Sequence, residues 1–317
     1  MSRVKTDWRQ GFIDRIDCRV CLDEPLAKHT TLGVGGAAKL LVFLKNEESL
    51  SEALRFLDSR AIDWRVLGLG SNILVSDSGL SGAAFRLSGQ LASLKPLDRS
   101  RRFLDVQVGA GLAMGRLIAW ALKYGGGGLH PLVGIPGTIG GAIKTNAGTS
   151  LGTITDRLVE VRILRRKSMH WVPVDSLAFG YRCSPFGLRQ IIVAARFRLP
   201  LTRPTKIERA YQAARQKRIG QPKRVRSAGC FFKNPQSGSA GRLIDQAGCK
   251  GARRGSAMVS TVHANYIINN GGASAKDILR LSQHVARTVK LKMGVRLERE
   301  VELWGRFRPA AAVRRSK

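Results

Sequence analysis

The chain has no apolar run long enough to cross a bilayer, and its opening residues, MSRVKTDWRQGFIDRIDCRV, lack the apolar core of a secretory leader. A cytoplasmic location without membrane insertion is the expectation. Cysteine is sparse and odd in number, at Cys18, Cys21, Cys183, Cys230 and Cys249, which argues against a disulfide framework and for reduced thiols. Cys18 and Cys21 form a CxxC pair, but no second close pair of Cys or His completes a zinc site, so no metal is expected. Aromatic residues make up only 6% and do not interleave with the basic ones, as a nucleic-acid stacking platform requires.

Acidic residues are few as well: 22 Asp and Glu face 54 Lys and Arg, a formal charge of +32 over 317 residues. Anionic partners are therefore expected. The basic residues are spread along the chain, apart from small clusters such as Arg165-Arg166-Lys167 and Arg314-Arg315-Ser316-Lys317. No recognised nucleic-acid module accompanies them, and a positive field serves phosphorylated cofactors and nucleotide sugars equally well. A non-catalytic basic nucleic-acid binder stays open as an alternative, without a specific nucleic acid in view.

Glycine is plentiful by contrast, and the run Gly134 to Gly148, GIPGTIGGAIKTNAG, concentrates it with small hydroxyl residues. Pro136 suits a first helical position, while Gly134, Gly137, Gly140 and Gly141 lack the Cβ that would keep an anion or flat ring from backbone N–H groups. A tight turn leading into a buried small-residue helix is the plainer reading of the same pattern. A second loop, Gly68-Leu69-Gly70-Ser71-Asn72, lies between the apolar strands Arg65 to Leu67 and Ile73 to Val75. It has neither the third glycine nor the following helix of a Rossmann fingerprint. Ser71 and Asn72 can nevertheless offer donors to a pyrophosphate in the manner of an anion nest.

With 44% hydrophobic residues the chain can bury a sizeable core and divide into domains. Residues 1–24 read as a basic N-terminal arm. The spacing predicts a strand over Lys39 to Leu44, a helix over Glu47 to Arg60 and strands over Gly82 to Leu87 and Leu104 to Val108. A helix over Leu112 to Lys123 ends at the glycines Gly125 to Gly128. Strands are expected at Leu158 to Leu164, with Val159, Val161 and Ile163 on one face, and at Trp171 to Val174 and Ile191 to Leu199. Pro200 to Pro204 reads as a linker. Helices over Lys206 to Ile219 and Ala275 to Met293 and a closing strand over Val295 to Trp304 follow. The class is α+β. The expected division is 25–200, in two lobes of about 25–88 and 89–200, then 205–306, then a basic tail over 307–317.

The reactive groups stand in the last third, where SAGCFFKNP occupies 227–235. Together with GLGSN at 68–72, GIPGTIGGAIKTNAG at 134–148, FGYRCSPF at 179–186, VSTVHANYIINNG at 259–271 and LEREVELWG at 297–305, it resembles the UDP-N-acetylenolpyruvoylglucosamine reductase (MurB) family. The motifs agree in order from about residue 25 to 305, which makes the resemblance specific where each alone would be weak. The shorter subclass fits best, since the last third carries no obvious long insertion.

The resemblance implies a FAD domain of the vanillyl-alcohol-oxidase (PCMH) type and a smaller α+β domain closing over the UDP-sugar, with NADPH as reductant. Gly68, Gly70, Ser71, Asn72, Gly134, Ile135, Pro136, Gly137, Thr138, Gly140, Gly141, Asn146 and Gly148 would hold the cofactor. Arg182 would neutralise the substrate carboxylate and developing enolate, as suits a planar, permanently charged fork. Glu300 would help position or relay a proton. Tyr181, Lys233, Asn234, His263 and Asn265 would surround the substrate.

Two positions depart from the family pattern. Cys230 stands where serine commonly donates the proton, and a thiol can do so only while protonated; with an ordinary pKa of about 8.5, about 3% is thiolate at pH 7. Glu302 replaces a common basic residue, so any phosphate contact there must come from elsewhere. A FAD-linked oxidase of a small alcohol or lactone is the alternative on the same fold.

Overall fold

The computed structural model describes residues 7–165, 168–187 and 189–307. Arg166, Lys167 and the expected tail from residue 308 onward lie outside the described residues, as do residues 1–6 of the expected arm.

The described chain opens with α1 (Trp8–Ile13) and β1 (Arg19–Pro25), then β2 (Ala37–Leu44), α2 (Glu47–Asp58), β3 (Trp64–Val66), β4 (Ile73–Val75) and β5 (Leu80–Leu87). It continues through β6 (Leu94–Arg99), β7 (Phe103–Gly109), α3 (Met114–Tyr124), α4 (Ile139–Lys144) and the short hairpin β8 (Gly148–Thr149) and β9 (Gly152–Thr153). Next come β10 (Leu158–Arg165), β11 (Ser168–Pro173), β12 (Ile191–Pro200) and α5 (Pro204–Gln216). The last third holds β13 (Arg226–Cys230), α6 (Ala240–Gln246), β14 (Arg253–Arg254), β15 (Ala257–Val259), β16 (Tyr266–Asn269), α7 (Ala275–Met293) and β17 (Glu302–Trp304). The α+β class is as expected.

Two compact units divide the chain. One comprises residues up to Glu24, Lys39–Ser71 and Gly82–Lys223; the other comprises Pro25–Ala38, Asn72–Ser81 and the chain from Arg224. In the first unit, β12 lies at the centre of a five-stranded sheet of order β11-β10-β12-β7-β6. Beyond Ala195 the strand alternates, with Phe197 and Leu199 in the core and Arg198 exposed, but its first half, IIVAA, is buried on both faces: Ile191 and Val193 enter one core with Phe12, Leu40, Leu50 and Phe85, while Ile192 and Ala195 enter another with Val106, Leu117 and Ile143. That is why the sequence reads as nearly continuous apolar residues rather than strict alternation. A second sheet, β1-β2-β5-β3, pairs β3 parallel to β5.

In the second unit, the four-stranded sheet β13-β16-β15-β14 contributes to one core with α7. Ile278, Leu281, Val285 and Val289 of the helix cluster with Phe231, Phe232 and Ile267. The helix keeps the limits its periodicity predicts, because Ser274 and Asp277 form a reciprocal capping box at its start and Gly294, at φ 70°, stops it.

Three expectations are corrected. From Asp7 on, the supposed arm carries α1 and β1, with Phe12 fully buried, so Arg9, Arg15 and Arg19 decorate a folded segment. Val159 is exposed rather than sharing a face with Val161 and Ile163, because the register of β10 against β12 slips between Leu158 and Glu160. The closing strand shrinks to Glu302–Trp304: the extended chain before it exchanges backbone bonds with Phe231 and Lys233, then changes partner to Asn72 and β4, so no single ladder forms.

Two backbone positions generate stability predictions. A Cβ on Gly82 would stand 1.8 Å from the Asp63 carbonyl oxygen, so Gly82→Ala must pry β5 from the residue that precedes β3. A loss of about 2 kcal/mol is expected in chemical denaturation. Conversely, Ala61 closes the turn after α2 at φ 53°, with Ile62 N–H on Leu57 O at 3.0 Å, in a conformation that costs a Cβ-bearing residue roughly 1–2 kcal/mol. Ala61→Gly should raise stability by up to about 1 kcal/mol after the greater freedom of the unfolded glycine chain is subtracted. A lower denaturation midpoint would contradict this.

Candidate active site

In the first unit, Leu67 donates to Phe85 O (2.8 Å) and keeps the chain on its sheet up to the first glycine loop. A Cβ on Gly68 would lie 2.8 Å from Thr138 Oγ1, and Ser71 Oγ donates to Pro136 O at 2.7 Å. The two loops singled out in the sequence are thus locked together. Gly70 and Gly134 take φ of 65° and 74°, which glycine adopts without penalty. Gly137 faces open space, its nearest prospective neighbour being Ser71 Oγ at 4.0 Å, and the amides of Ser71 and Gly137 have no hydrogen bond among the described residues. A cradle that a side chain would fill, edged by backbone donors, fits a phosphate-bearing cofactor.

The helix after this loop is built differently from the expectation. Thr138, not Pro136, is its cap, accepting from Gly141 N–H at 3.3 Å. The amides of Ile139 and Gly140 donate to Leu112 O and Ala110 O at 2.9 and 2.8 Å. Gly140 is small because a Cβ would come within 2.9 Å of the Ala110 methyl. The donors toward an anion are therefore those of the loops, since the start of α4 is used up in docking it.

Sequence reasoning missed the cations here. Arg215, Arg218 and Lys223 line a cavity of about 440 Å³ with Gly134, and the Arg218 side chain lies over that glycine. Arg215 in the last turn of α5 and Arg218 just beyond it were the available sign.

Arg182 is anchored to the chain that follows α4. Its Nη2 donates to Gly148 O at 2.8 Å and its Nη1 to Asn146 O at 3.4 Å, while its guanidinium lies 5.6 Å from the Tyr181 ring centre. Tyr181 itself is 58% exposed. Asn146, buried, donates its amide to Gly180 O at 2.9 Å and accepts from Thr155 at 3.3 Å. Both Asn146 and Arg182 are in the left-handed region, at φ 42° and 50°, each costing of order 1–3 kcal/mol. Asn146 and Gly148, expected at the cofactor, thus hold the arginine in place.

The second unit brings Cys230 and Glu300 together along the backbone. Glu300 N–H donates to the carbonyl of Phe231, the residue after Cys230, at 2.9 Å. Both Cys230 and Glu300 are half-buried. Asn265, 2% exposed, fixes the same turn three times: its carbonyl accepts from Phe231, its Oδ1 from Phe232, and its Nδ2 donates to Phe232 O. Asn72, expected at the cofactor, donates its amide to Glu300 O at 3.2 Å and accepts from Glu302 N–H at 3.0 Å.

Among the residues expected at the substrate, Lys233 pairs with Glu298 at 2.6 Å, and Asn234 accepts from Ala240 N–H at 2.9 Å. His263 Nδ1 accepts from Asn265 N–H at 3.2 Å, and burial holds its pKa below the ordinary histidine value. Arg182 belongs to the first unit, Cys230 and Glu300 to the second.

Elsewhere, Cys18 is half-buried, and burial, with Asp17 beside it, pushes its thiol up to about 11. No group of three or more His, Cys, Asp and Glu able to hold a metal occurs among the described residues, and no described helix is long and apolar enough to cross a membrane.

Residues 38–169 match the family model of a FAD binding domain, and residues 221–304 match the C-terminal domain of UDP-N-acetylenolpyruvoylglucosamine reductase. The reductase of that name from Geobacter sulfurreducens is 39% identical over 289 residues, covering 89% of this chain and 93% of its own. That from Deinococcus radiodurans is 39% identical over 285 residues, covering 88% and 94%. The crystal structure of UDP-N-acetylenolpyruvylglucosamine reductase from Thermus caldophilus superposes with a TM-score of 0.78 at 38% identity, over 92% of this chain and all of that one. The paired glycine loops, the strained arginine and the Cys230–Glu300 segment thus lie in a FAD-dependent oxidoreductase, and the chain belongs to the UDP-N-acetylenolpyruvoylglucosamine reductase family.

Proposed function

We propose that this chain reduces the enolpyruvyl group of UDP-N-acetylenolpyruvoylglucosamine to UDP-N-acetylmuramate, with NADPH as reductant and through FAD, in cytoplasmic peptidoglycan precursor synthesis. The observation that carries this reading is the second unit's backbone pairing of Glu300 with the turn after Cys230, in a chain whose first half matches a FAD domain. The chemistry that a bound FAD would contribute is hydride, drawn from NADPH, for the substrate double bond.

The protein's own groups do the rest. The loops containing Gly68, Gly70 and Ser71 and Gly134, Ile135, Pro136, Gly137 and Thr138 would hold the cofactor, with Gly140 letting α4 dock close behind and Gly141 donating to the Thr138 cap. Arg215, Arg218 and Lys223 supply positive charge for its diphosphate. Arg182 receives the substrate carboxylate and the enolate charge; its anchoring on Asn146 and Gly148 leaves it little freedom to reorganise when charge develops. Cys230 gives its Sγ proton to the carbon next to the one that accepts hydride, and the thiolate left behind is reprotonated from solvent. Glu300 steadies that exchange.

Tyr181, Lys233 and Asn234 face the UDP-sugar. His263 and Asn265 act through structure, the first accepting a backbone bond as neutral imidazole and the second shaping the turn that carries Cys230. Glu302 is exposed and takes no anion-binding role.

Anaerobic stopped-flow absorbance separates the half-reactions. Cys230→Ser should retain turnover, whereas Cys230→Ala should slow reoxidation by the enolpyruvyl sugar by about 10²–10⁴-fold, the usual worth of a general acid, while reduction by NADPH is unchanged. Equal loss in both half-reactions would remove Cys230 from its assigned role. Because a thiol must be protonated to donate, wild-type activity should fall on the alkaline side at lower pH than that of Cys230→Ser. A shared alkaline limb contradicts this. Arg182→Lys keeps charge but loses the fork, and should cost about 10²-fold or more in kcat.

A further inference from the structure

A cavity of about 900 Å³ lies in the first unit beside the start of β3. It falls in the size range of small-molecule sites, and none of the residues assigned to cofactor or substrate lines it. Trp64 opens the strand that runs on to the 68–72 loop, so the cavity lies at that strand's opposite end. Ile62, Trp64 and Leu164 give it apolar walls. Two carboxylates, Asp58 and Asp63, stand on its rim, although the chain as a whole is strongly cationic.

Arg189 shows what this rim accepts. Its guanidinium lies 5.1 Å from the Trp64 ring centre, with Nη1 3.4 Å from Asp58 Oδ1 and Nη2 3.7 Å from Asp63 Oδ1. Asp58 also accepts from Trp64 Nε1 at 3.0 Å, which fixes carboxylate and indole relative to each other. The Arg189 side chain is 63% exposed, and ion pairs of this kind contribute at most about 1 kcal/mol. It is an occupant held weakly enough to be displaced. Arg55, a second cation lining the cavity, is turned back to its own helix, donating to Ser51 O at 3.4 Å, and Arg65 Nη1 shares Asp63 Oδ1 at 3.2 Å.

We propose that this cavity is a binding site for a small planar organic cation with an aromatic body, of the aryl amidine or aryl guanidine class. The cationic end takes the place of the Arg189 guanidinium between Asp58 and Asp63, and the aromatic body covers Trp64, Ile62 and Leu164, adding buried apolar area to the contact that the guanidinium alone makes with the indole. The charge balance of the rim is unchanged by the exchange. The site is independent of the reductase chemistry.

Naphthalene-2-carboxamidine is the probe, titrated into the full-length protein by calorimetry and by ligand-observed NMR. Saturable binding is expected, tightened about fivefold or more in Arg189→Ala, where the competitor is gone, and weakened by a similar factor in Asp63→Asn, each being about 1 kcal/mol. Both positions are exposed enough for the variants to fold, which their thermal midpoints will verify. The isosteric anion 2-naphthoate should not bind. Absence of saturable binding to Arg189→Ala, equal binding of naphthoate, or indifference to Asp63→Asn would each overturn the proposal.

Discussion

The approach of two backbone loops governs the first unit: Gly68 lies against Thr138 where no side chain fits, and Ser71 is bonded to Pro136. Gly137 beside it faces open space, and the amides of Ser71 and Gly137 make no hydrogen bond among the described residues. A parallel strand pair delivers one loop and a capped six-residue helix fixes the other. Because α4 commits its first amides to Leu112, Ala110 and Thr138, the proposed cofactor site rests on the loops rather than on a helix dipole.

A second constraint shapes the chemistry. Asn146 and Arg182 are both held in left-handed backbone conformations and are tied to one another through backbone carbonyls. Such strain persists where the surroundings over-determine it, and here it yields a guanidinium with two fixed contacts. In the second unit, Asn265 performs a comparable task with ordinary geometry, gripping the turn after Cys230 by three hydrogen bonds while Glu300 grips it from the other side.

Much of this was legible in the sequence. Amphipathic periodicity gave the limits of α7, and the apolar run Ile191 to Ala195 marked β12 as a strand, because those patterns record burial directly. The glycine loops and the Cys230 segment stood out because their residue types are needed locally. What escaped notice depends on partners remote in sequence. Nothing near residue 72 announces that Asn72 bonds to Glu300, and nothing in 25–38 reveals that it packs with the chain beyond residue 224. The bulge at Val159 and the change of partner before β17 likewise follow from pairing, to which a single strand's pattern is blind.

If the space in front of Gly137 receives FAD, a titration of wild type and Gly137→Val with the cofactor, read by flavin absorbance and fluorescence, will separate the two proteins. Expected are a yellow wild-type protein that binds FAD stoichiometrically and a Gly137→Val variant weakened by about a hundredfold or more, roughly 2.7 kcal/mol, with far-ultraviolet circular dichroism and thermal midpoint of the apoprotein unchanged. A colourless wild-type protein that ignores added FAD, or a folded Gly137→Val variant that binds it as tightly as wild type, would contradict that placement.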